Sequence, residues 1–152
     1  MEITTKIESK PAFLVAGLKL RGKEVQAEVP ALWGQLMARF GEFRHLVQGG
    51  GSYGVMANYD LETGEFDYGA ALPVSSGEDV PAGMKLWEIP EQTYAIFTFA
   101  FSDIGRGYDY AMKTWPAQSG RERSGGIELE FYPVEFTPED PSSQMQYWMP
   151  IK

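Results

Sequence analysis

Cysteine is absent from the 152 residues. That excludes disulfides, thiolate metal sites and cysteine nucleophiles together. Histidine is nearly absent: His45 stands alone in the sequence, in the context Arg44-His45-Leu46, with no second ligand at metal spacing. Zinc binding and a Ser/His/Asp arrangement both lack their parts. Basic clusters are missing as well. Lys and Arg number 13 against 21 Asp and Glu, for a formal charge of −8, so the footprint of a phosphate-backbone binder is not there. No apolar run approaches the ~18 residues of a membrane span, and no charged-then-apolar leader opens the chain. A cytoplasmic location is expected. The acidic stretches Asp60-Leu61-Glu62 and Glu139-Asp140 lack the calcium-loop pattern. Gly49-Gly50-Gly51 is not followed by the Lys-Ser/Thr of a phosphate cradle and reads as a plain loop. No metal and no cofactor is expected.

What is present is a large apolar share. Hydrophobic residues make up 43% and aromatics 14%, enough for one domain over residues 1–152 with its own core. The acidic balance mildly favours a cationic ligand.

The most sharply patterned stretch is Gly126 to Tyr132. Ile127, Leu129 and Phe131 alternate with Glu128, Glu130 and Tyr132, the period of a half-buried strand. Further strands are expected over Ile3–Ile7, Phe13–Leu20, Tyr53–Tyr59, Phe66–Val74, Met84–Ile89, Thr93–Phe101 and Gln144–Ile151. Gly64 provides the turn glycine of a hairpin between Tyr59 and Phe66. Leu32, Trp33, Leu36, Met37 and Phe40 recur at helical spacing after Pro30, predicting a helix over 30–42. A second helix carries Ile104, Tyr108, Ala111, Met112 and Trp115 on one face and is expected to stop at Pro116.

The two halves, about 1–76 and 77–152, repeat the order strand, helix, strand, strand. Pro73 and Pro150 close matching aliphatic-Pro-aliphatic runs 77 positions apart. The same offset sets Tyr53 against Glu130, and Pro11 answers Pro90 at an offset of 79. Repetition at a fixed offset marks a duplicated unit. The expected fold is α+β: a pseudo-two-fold antiparallel sheet, two helices on one face, a ligand cleft on the other. In that arrangement Ile127, Leu129 and Phe131 pack under the helices, and Tyr53 and Glu130 flank the cleft.

Certain runs carry a resemblance: Trp115-Pro116-Ala117-Gln118-Ser119-Gly120, Leu129-Glu130-Phe131-Tyr132, Tyr147-Trp148-Met149-Pro150-Ile151, Phe66-Asp67-Tyr68, and Pro90 through Tyr94-Ala95-Ile96-Phe97. Together they resemble the GyrI-like effector-binding domain, found in AraC-type and BmrR-type transcription regulators and as a free-standing protein. The resemblance spans nearly the whole chain. It implies a duplicated strand-helix-strand-strand fold and a cleft for lipophilic, often cationic, small molecules. By position Glu130 would meet the cation, with aromatic residues around it. The chain begins almost at the effector-binding part, so contact with DNA would fall to a separate DNA-binding or protein partner.

A carboxylate among aromatic faces offers a delocalised cation both a counter-charge and ring quadrupoles, at about 0.5–2 kcal/mol per cation–π contact. Several aromatics, Tyr108 and Tyr147 among them, could line such a cleft. The set expected beside Glu130 is Tyr53, Tyr68, Phe99, Phe101, Tyr110, Trp115 and Trp148. Glu128 shares the parity of Glu130 but is expected nearer the wet end of its strand. The function expected is binding of a lipophilic, cationic aromatic compound, for drug or effector sensing or sequestration. The resemblance offers two alternatives. One is a hydrolase of cyclopropane-containing toxins, in which Glu130 handles water with the help of Tyr53. The other is a protein inhibitor of DNA gyrase.

Overall fold

A computed structural model describes residues 2–152. Eight strands form one antiparallel sheet: β1 Thr4–Lys10, β2 Phe13–Gly22, β3 Ser52–Ala57, β4 Phe66–Val74, β5 Lys85–Ile89, β6 Gln92–Ala100, β7 Glu128–Tyr132 and β8 Gln144–Pro150. Their spatial order is β1-β6-β8-β7-β3-β4-β2-β5. The order is unchanged when the first-half set β2, β3, β4 is exchanged with β6, β7, β8 and β1 with β5. A pseudo-two-fold axis therefore passes between the central strands β3 and β7. Each half also lends a strand to the other. β1 pairs with β6, and β5 pairs with β2, so a division near residue 76 does not separate two self-contained sheets.

Register fixes where the axis lies. Gly54 pairs with Glu130 and Tyr53 with Phe131. Paired residues on antiparallel strands point to the same face, and so do residues exchanged by an axis perpendicular to the sheet. The mate of Glu130 is therefore Gly54, at an offset of 76, and the mate of Tyr53 is Leu129. The offset of 77 holds for Pro73 and Pro150 on the neighbouring strands but slips by one residue here. That slip carries Tyr53 to the opposite face of the sheet.

The helices lie over a single face. α1, Val29–Ala38, starts with Pro30 in its first turn and buries Leu32 and Leu36, one helical turn apart, against the sheet. A 3-10 turn follows at Phe40–Glu42, where Arg39 makes a two-pronged ion pair with Glu42. On the other side, a 3-10 turn at Phe101–Asp103 leads into α2, Ile104–Asp109, then a π-helical segment, Tyr110–Thr114, then α3, Trp115–Ser119. The helix does not stop at Pro116. Proline has no N–H to give the carbonyl of Met112, and its ring crowds that carbonyl. Widening the preceding turn to π geometry accommodates both conditions. Gly120, at φ 72°, ends the run. Gly107 brings α2 directly onto the sheet: a Cβ there would sit 2.5 Å from the Phe99 ring.

The core has two layers. One joins Leu32, Leu36, Ala111 and Trp115 of the helical segments to Met56, Tyr68, Phe97, Phe99 and Tyr147 of the sheet. The other lies on the helix-free face and joins Val15, Tyr53, Val55, Trp87, Ile96, Leu129 and Trp148. Ile127, Leu129 and Phe131 thus belong to the bare face, and Glu128, Glu130 and Tyr132 to the helix face. That reverses the expected orientation of β7. Phe13 of β2 reaches Trp148 of β8, ring centroids 6.4 Å apart, across three intervening strands. The sheet therefore curls around its bare face, and aromatic side chains fill the hollow.

No helix among the described residues is long and apolar enough to cross a membrane.

Candidate functional site: a tyrosine-held carboxylate between the helices

Among the described residues three acidic side chains are buried: Asp67, Glu128 and Glu130. Glu130 is 7% exposed and projects from the middle of β7 toward the gap between α1 and α2. Its Oε1 accepts hydrogen bonds from the hydroxyls of Tyr68 (2.8 Å) and Tyr132 (2.9 Å), and its Oε2 from Tyr108 (2.5 Å). The Tyr68 oxygen in turn accepts the Trp33 indole N–H at 3.1 Å. β4, β7, α1 and α2 each contribute to this cluster, so it forms only when both halves are assembled.

Backbone permits the arrangement. A Cβ at position 54 would lie 2.5 Å from Glu130 Oε1 and 2.7 Å from the Tyr68 hydroxyl. Gly54, paired directly across from Glu130, leaves the space that the carboxylate and the phenol occupy.

Among the described residues no lysine, arginine or histidine forms an ion pair with Glu130; the paired buried acids are Asp67 and Glu128. A buried carboxylate without a cation must be stabilised by hydrogen bonds. Three phenols supply them. Burial first, and the charge of Glu130 second, push the Tyr68, Tyr108 and Tyr132 hydroxyls well above the ordinary phenol value. All three therefore stay protonated and donating at neutral pH.

Around this cluster opens a cavity of about 1470 Å³, larger than the ~300–1,000 Å³ typical of small-molecule sites. Its floor is Met56, Tyr68, Leu72, Glu128, Glu130 and Tyr132. α1 forms one wall through Val29, Trp33 and Met37, and the second helix forms the other through Ile104, Tyr108 and Met112. The Gln48–Gly51 loop, Phe101 and the Val134–Phe136 stretch lie at the mouth. The lining is mainly apolar and aromatic. Tyr132 meets Trp33 edge-on at 5.7 Å and Phe136 at 4.8 Å.

The sequence-expected residues divide. Glu130, Tyr68 and Phe101 line the cavity. Phe99, Tyr110 and Trp115 share its face but belong to the packing between the second helical run and the sheet, where Tyr110 and Trp115 meet Phe97 edge-on at 6.0 and 5.5 Å. Tyr53 and Trp148 face away, packed against each other at 5.6 Å on the bare side. The cleft itself lies between the helices, not on the face opposite them. Reading the sequence missed Trp33, Gly54 and Tyr132 as parts of the site and did not include Tyr108 in the expected set. Tyr132 had a signal, its shared parity with Glu130 on β7. Trp33 lies one turn before Met37, on the α1 flank that lines the cavity. Glu128 is not at a wet strand end: it is 2% exposed and lines the same cavity. Among the described residues no group of His, Asp and Glu side chains is placed to hold a metal ion.

Comparison with known proteins agrees with this architecture. A protein-family model described as Cass2, integron-associated effector binding protein, matches residues 6–151. The transcriptional regulator BrlR of Pseudomonas aeruginosa is 32% identical over 149 residues, covering 96% of this chain and 54% of BrlR. The chain thus spans about half the length of that relative. SAV2435, solved bound to tetraphenylphosphonium, superposes with a TM-score of 0.79 at 14% identity, over 98% of this chain and 94% of that one. The C-terminal domain of EcmrR superposes with a TM-score of 0.74 at 11% identity, over 100% and 99% of the two chains. The two superpositions establish a shared GyrI-like fold.

Proposed function

The chain belongs to the Cass2 family of integron-associated effector-binding proteins, and we propose that it binds lipophilic, cationic aromatic small molecules in the cavity between its helices. Glu130 is the anchor in this reading. The observation that carries it is a buried carboxylate held by three tyrosine hydroxyls, with no cation from the described residues beside it. The tyrosines fix the position of the charge without cancelling it. A delocalised cation entering the cavity supplies the missing opposite charge and stacks against the rings of Trp33, Tyr68, Tyr108 and Tyr132. Apolar walls add burial at about 25 cal/mol per Å². Size favours a bulky guest, and one neighbour of the same fold carries tetraphenylphosphonium.

A catalytic role for Glu130 finds less support. Each of its oxygens already accepts at least one phenol hydrogen bond, which leaves fewer lone pairs free to take a proton from water. Tyr53, the expected helper, is on the other face. Nothing in the fold favours a gyrase-inhibiting surface over this cavity. Since BrlR is a transcriptional regulator of about twice this length, a regulatory output through a DNA-binding partner is part of the proposal.

The test is quenching of tryptophan fluorescence by tetraphenylphosphonium. Trp33 sits in the cavity wall and reports directly. Wild type is expected to bind, and Glu130→Gln to bind at least tenfold more weakly, because the variant removes the counter-charge, and a charge pair in a partly desolvated site is worth more than the ~1.4 kcal/mol of a tenfold change. Equal affinity in the two proteins would remove Glu130 from the role.

A further inference from the structure

Four large apolar side chains stand open at the mouth of the cavity. Met37, Phe40, Val47 and Val134 are 46, 50, 44 and 66% exposed. All four line the cavity, and none of them belongs to either core layer. Chain direction gathers them at one end. Met37 and Phe40 flank the C-terminal end of α1. Val47 donates its N–H to the Pro73 carbonyl beside the end of β4, and Val134 lies two residues past the end of β7. Gly50 and Gly51 connect those two positions. A Cβ at 50 would lie 2.7 Å from Pro73 and 3.3 Å from Val47, and one at 51 would lie 2.5 Å from the Tyr132 carbonyl oxygen. The result is an apolar rim continuous with the cavity. Exposed apolar side chains gathered in this way mark a binding surface, whereas scattered ones need no explanation.

Polarity runs in one direction through the cavity. Its lining holds no lysine, arginine or histidine, and its only charged residues are Glu128 and Glu130. Arg123 pairs with Glu128, which leaves Glu130 as the acid on the floor without a cation among the described residues. Charge therefore lies deep, and apolar surface lies outermost. Val134 follows Glu130 by four residues, so the rim begins at most about 14 Å along the chain from the carboxylate. We propose that the rim is an alkyl-tail subsite and that the ligands are cationic amphiphiles, with a compact onium head at Glu130 and an unbranched hydrocarbon tail laid across Phe40, Val47 and Val134. The inference rests on the reading of Glu130 as the anchor. Continuity of the rim with the cavity selects the occupant: a head held at Glu130 sends its tail out along this surface, and the rim shields methylenes that would otherwise meet water.

The experiment compares dodecyltrimethylammonium with butyltrimethylammonium by titration calorimetry, both below micelle-forming concentration. Wild type is expected to bind the dodecyl compound at least about a hundredfold more tightly, since each buried methylene is worth up to about fourfold. The double variant Phe40→Ser, Val47→Ser should weaken the dodecyl compound about tenfold and leave the butyl compound within about twofold. Val134→Ser, on the opposite side of the rim, should lower the ratio of the two affinities about threefold. Dodecyl affinity unchanged in the rim variants, or a loss shared equally by the butyl compound, overturns the tail subsite. So does a wild-type dimer in sedimentation velocity that the double variant breaks while dodecyl affinity holds, because a second copy of the chain then covers the rim. Failure of the head anchor has a separate signature: Glu130→Gln would leave both compounds bound as tightly as before, where the account expects both to weaken by the same factor. The dodecyl-to-butyl ratio tests the tail in either case.

Discussion

The two faces of the sheet are about equally rich in aromatic residues, yet they are built for different ends. On the bare face Phe13, Tyr53, Phe131 and Trp148 touch one another at centroid separations of 5.1–6.4 Å and fill the curl of the sheet. The buried carboxylate on this face, Asp67, sits across from Ala57 and is paired with Arg21 at 3.1 Å. Burial, with a lesser contribution from Tyr94, pushes the Tyr53 hydroxyl up to about 12. On the helix face aromatic rings also touch, Tyr132 meeting Trp33 at 5.7 Å and Phe136 at 4.8 Å, but they border a large cavity, and the hydroxyls of Tyr68, Tyr108 and Tyr132 converge on Glu130. Aromatic content does not mark a binding site. What distinguishes the second face is a buried carboxylate, Glu130, with no cationic partner among the described residues and with space above it, and strand parity decides which residues share that face.

The comparison can be broken in several places. The largest effect on stability is expected on the bare face. Trp148→Ala removes an indole that is 5% exposed and should cost about 3–5 kcal/mol by chemical denaturation, while the affinity of the folded fraction for tetraphenylphosphonium stays within about twofold. A large loss of affinity would mean that the two faces are not independent. Gly54→Ala acts on the other side. Its methyl group collides with Glu130 and Tyr68, so a stability loss of about 1–3 kcal/mol should come with weakened ligand binding. Stability lost without affinity would show that the carboxylate can move aside and still work.

Smaller steps separate the phenols from the charge they hold. Tyr108→Phe removes one of the three hydrogen bonds to Glu130 and should lower stability by about 1 kcal/mol, with ligand affinity changed by less than the Glu130→Gln effect. The smallest effect concerns Asp67, whose surroundings are the opposite of those of Glu130. Burial there acts to raise the carboxyl pKa, but hydrogen bonds from Asn58 and Arg21, with the nearby Lys19 charge, outweigh it and hold the pKa below the ordinary value. A lowered folded-state pKa gives stability that is present above the ordinary carboxylate range and is lost as pH falls through the folded value. Asp67→Asn should therefore flatten the acid-side fall in melting temperature slightly, because Arg21 and Lys19 are more than a third exposed and screened. An unchanged acid limb would show that the pairs at Asp67 carry no measurable stability.

Much of this fold was legible in the sequence. Alternation in β4, β6, β7 and β8 and helical spacing in α1 placed those elements within a few residues of where they lie. The paired Pro73 and Pro150 revealed the repeat, because proline at a strand end is a fixed geometric mark. The candidate site was only half legible. Glu130 and Tyr68 were expected together and both line the cavity, but a single-residue slip between β3 and β7 sets Tyr53 on the other face and puts Gly54 opposite Glu130. Register across a dyad is set by long-range pairing, and no local pattern reports it. The face that the helices cover was hidden for the same reason. Alternation shows that a strand has two sides without showing which side a distant helix will choose. Pro116 misled in a different way, since a π turn absorbs a proline that would otherwise break the helix.

The central claim is that a cation binds on the helix face beside Glu130 and not among the aromatics of the bare face. Tetraphenylarsonium, a heavier analogue of the phosphonium, carries an atom that anomalous diffraction can locate in a crystal of the complex. The account predicts one strong peak in the cavity between α1 and α2, with phenyl groups against the rings of Trp33, Tyr108 or Tyr132 within the ~6 Å reach of a cation–π contact. A peak beside Tyr53 and Trp148, with the Glu130 cavity empty, would contradict it.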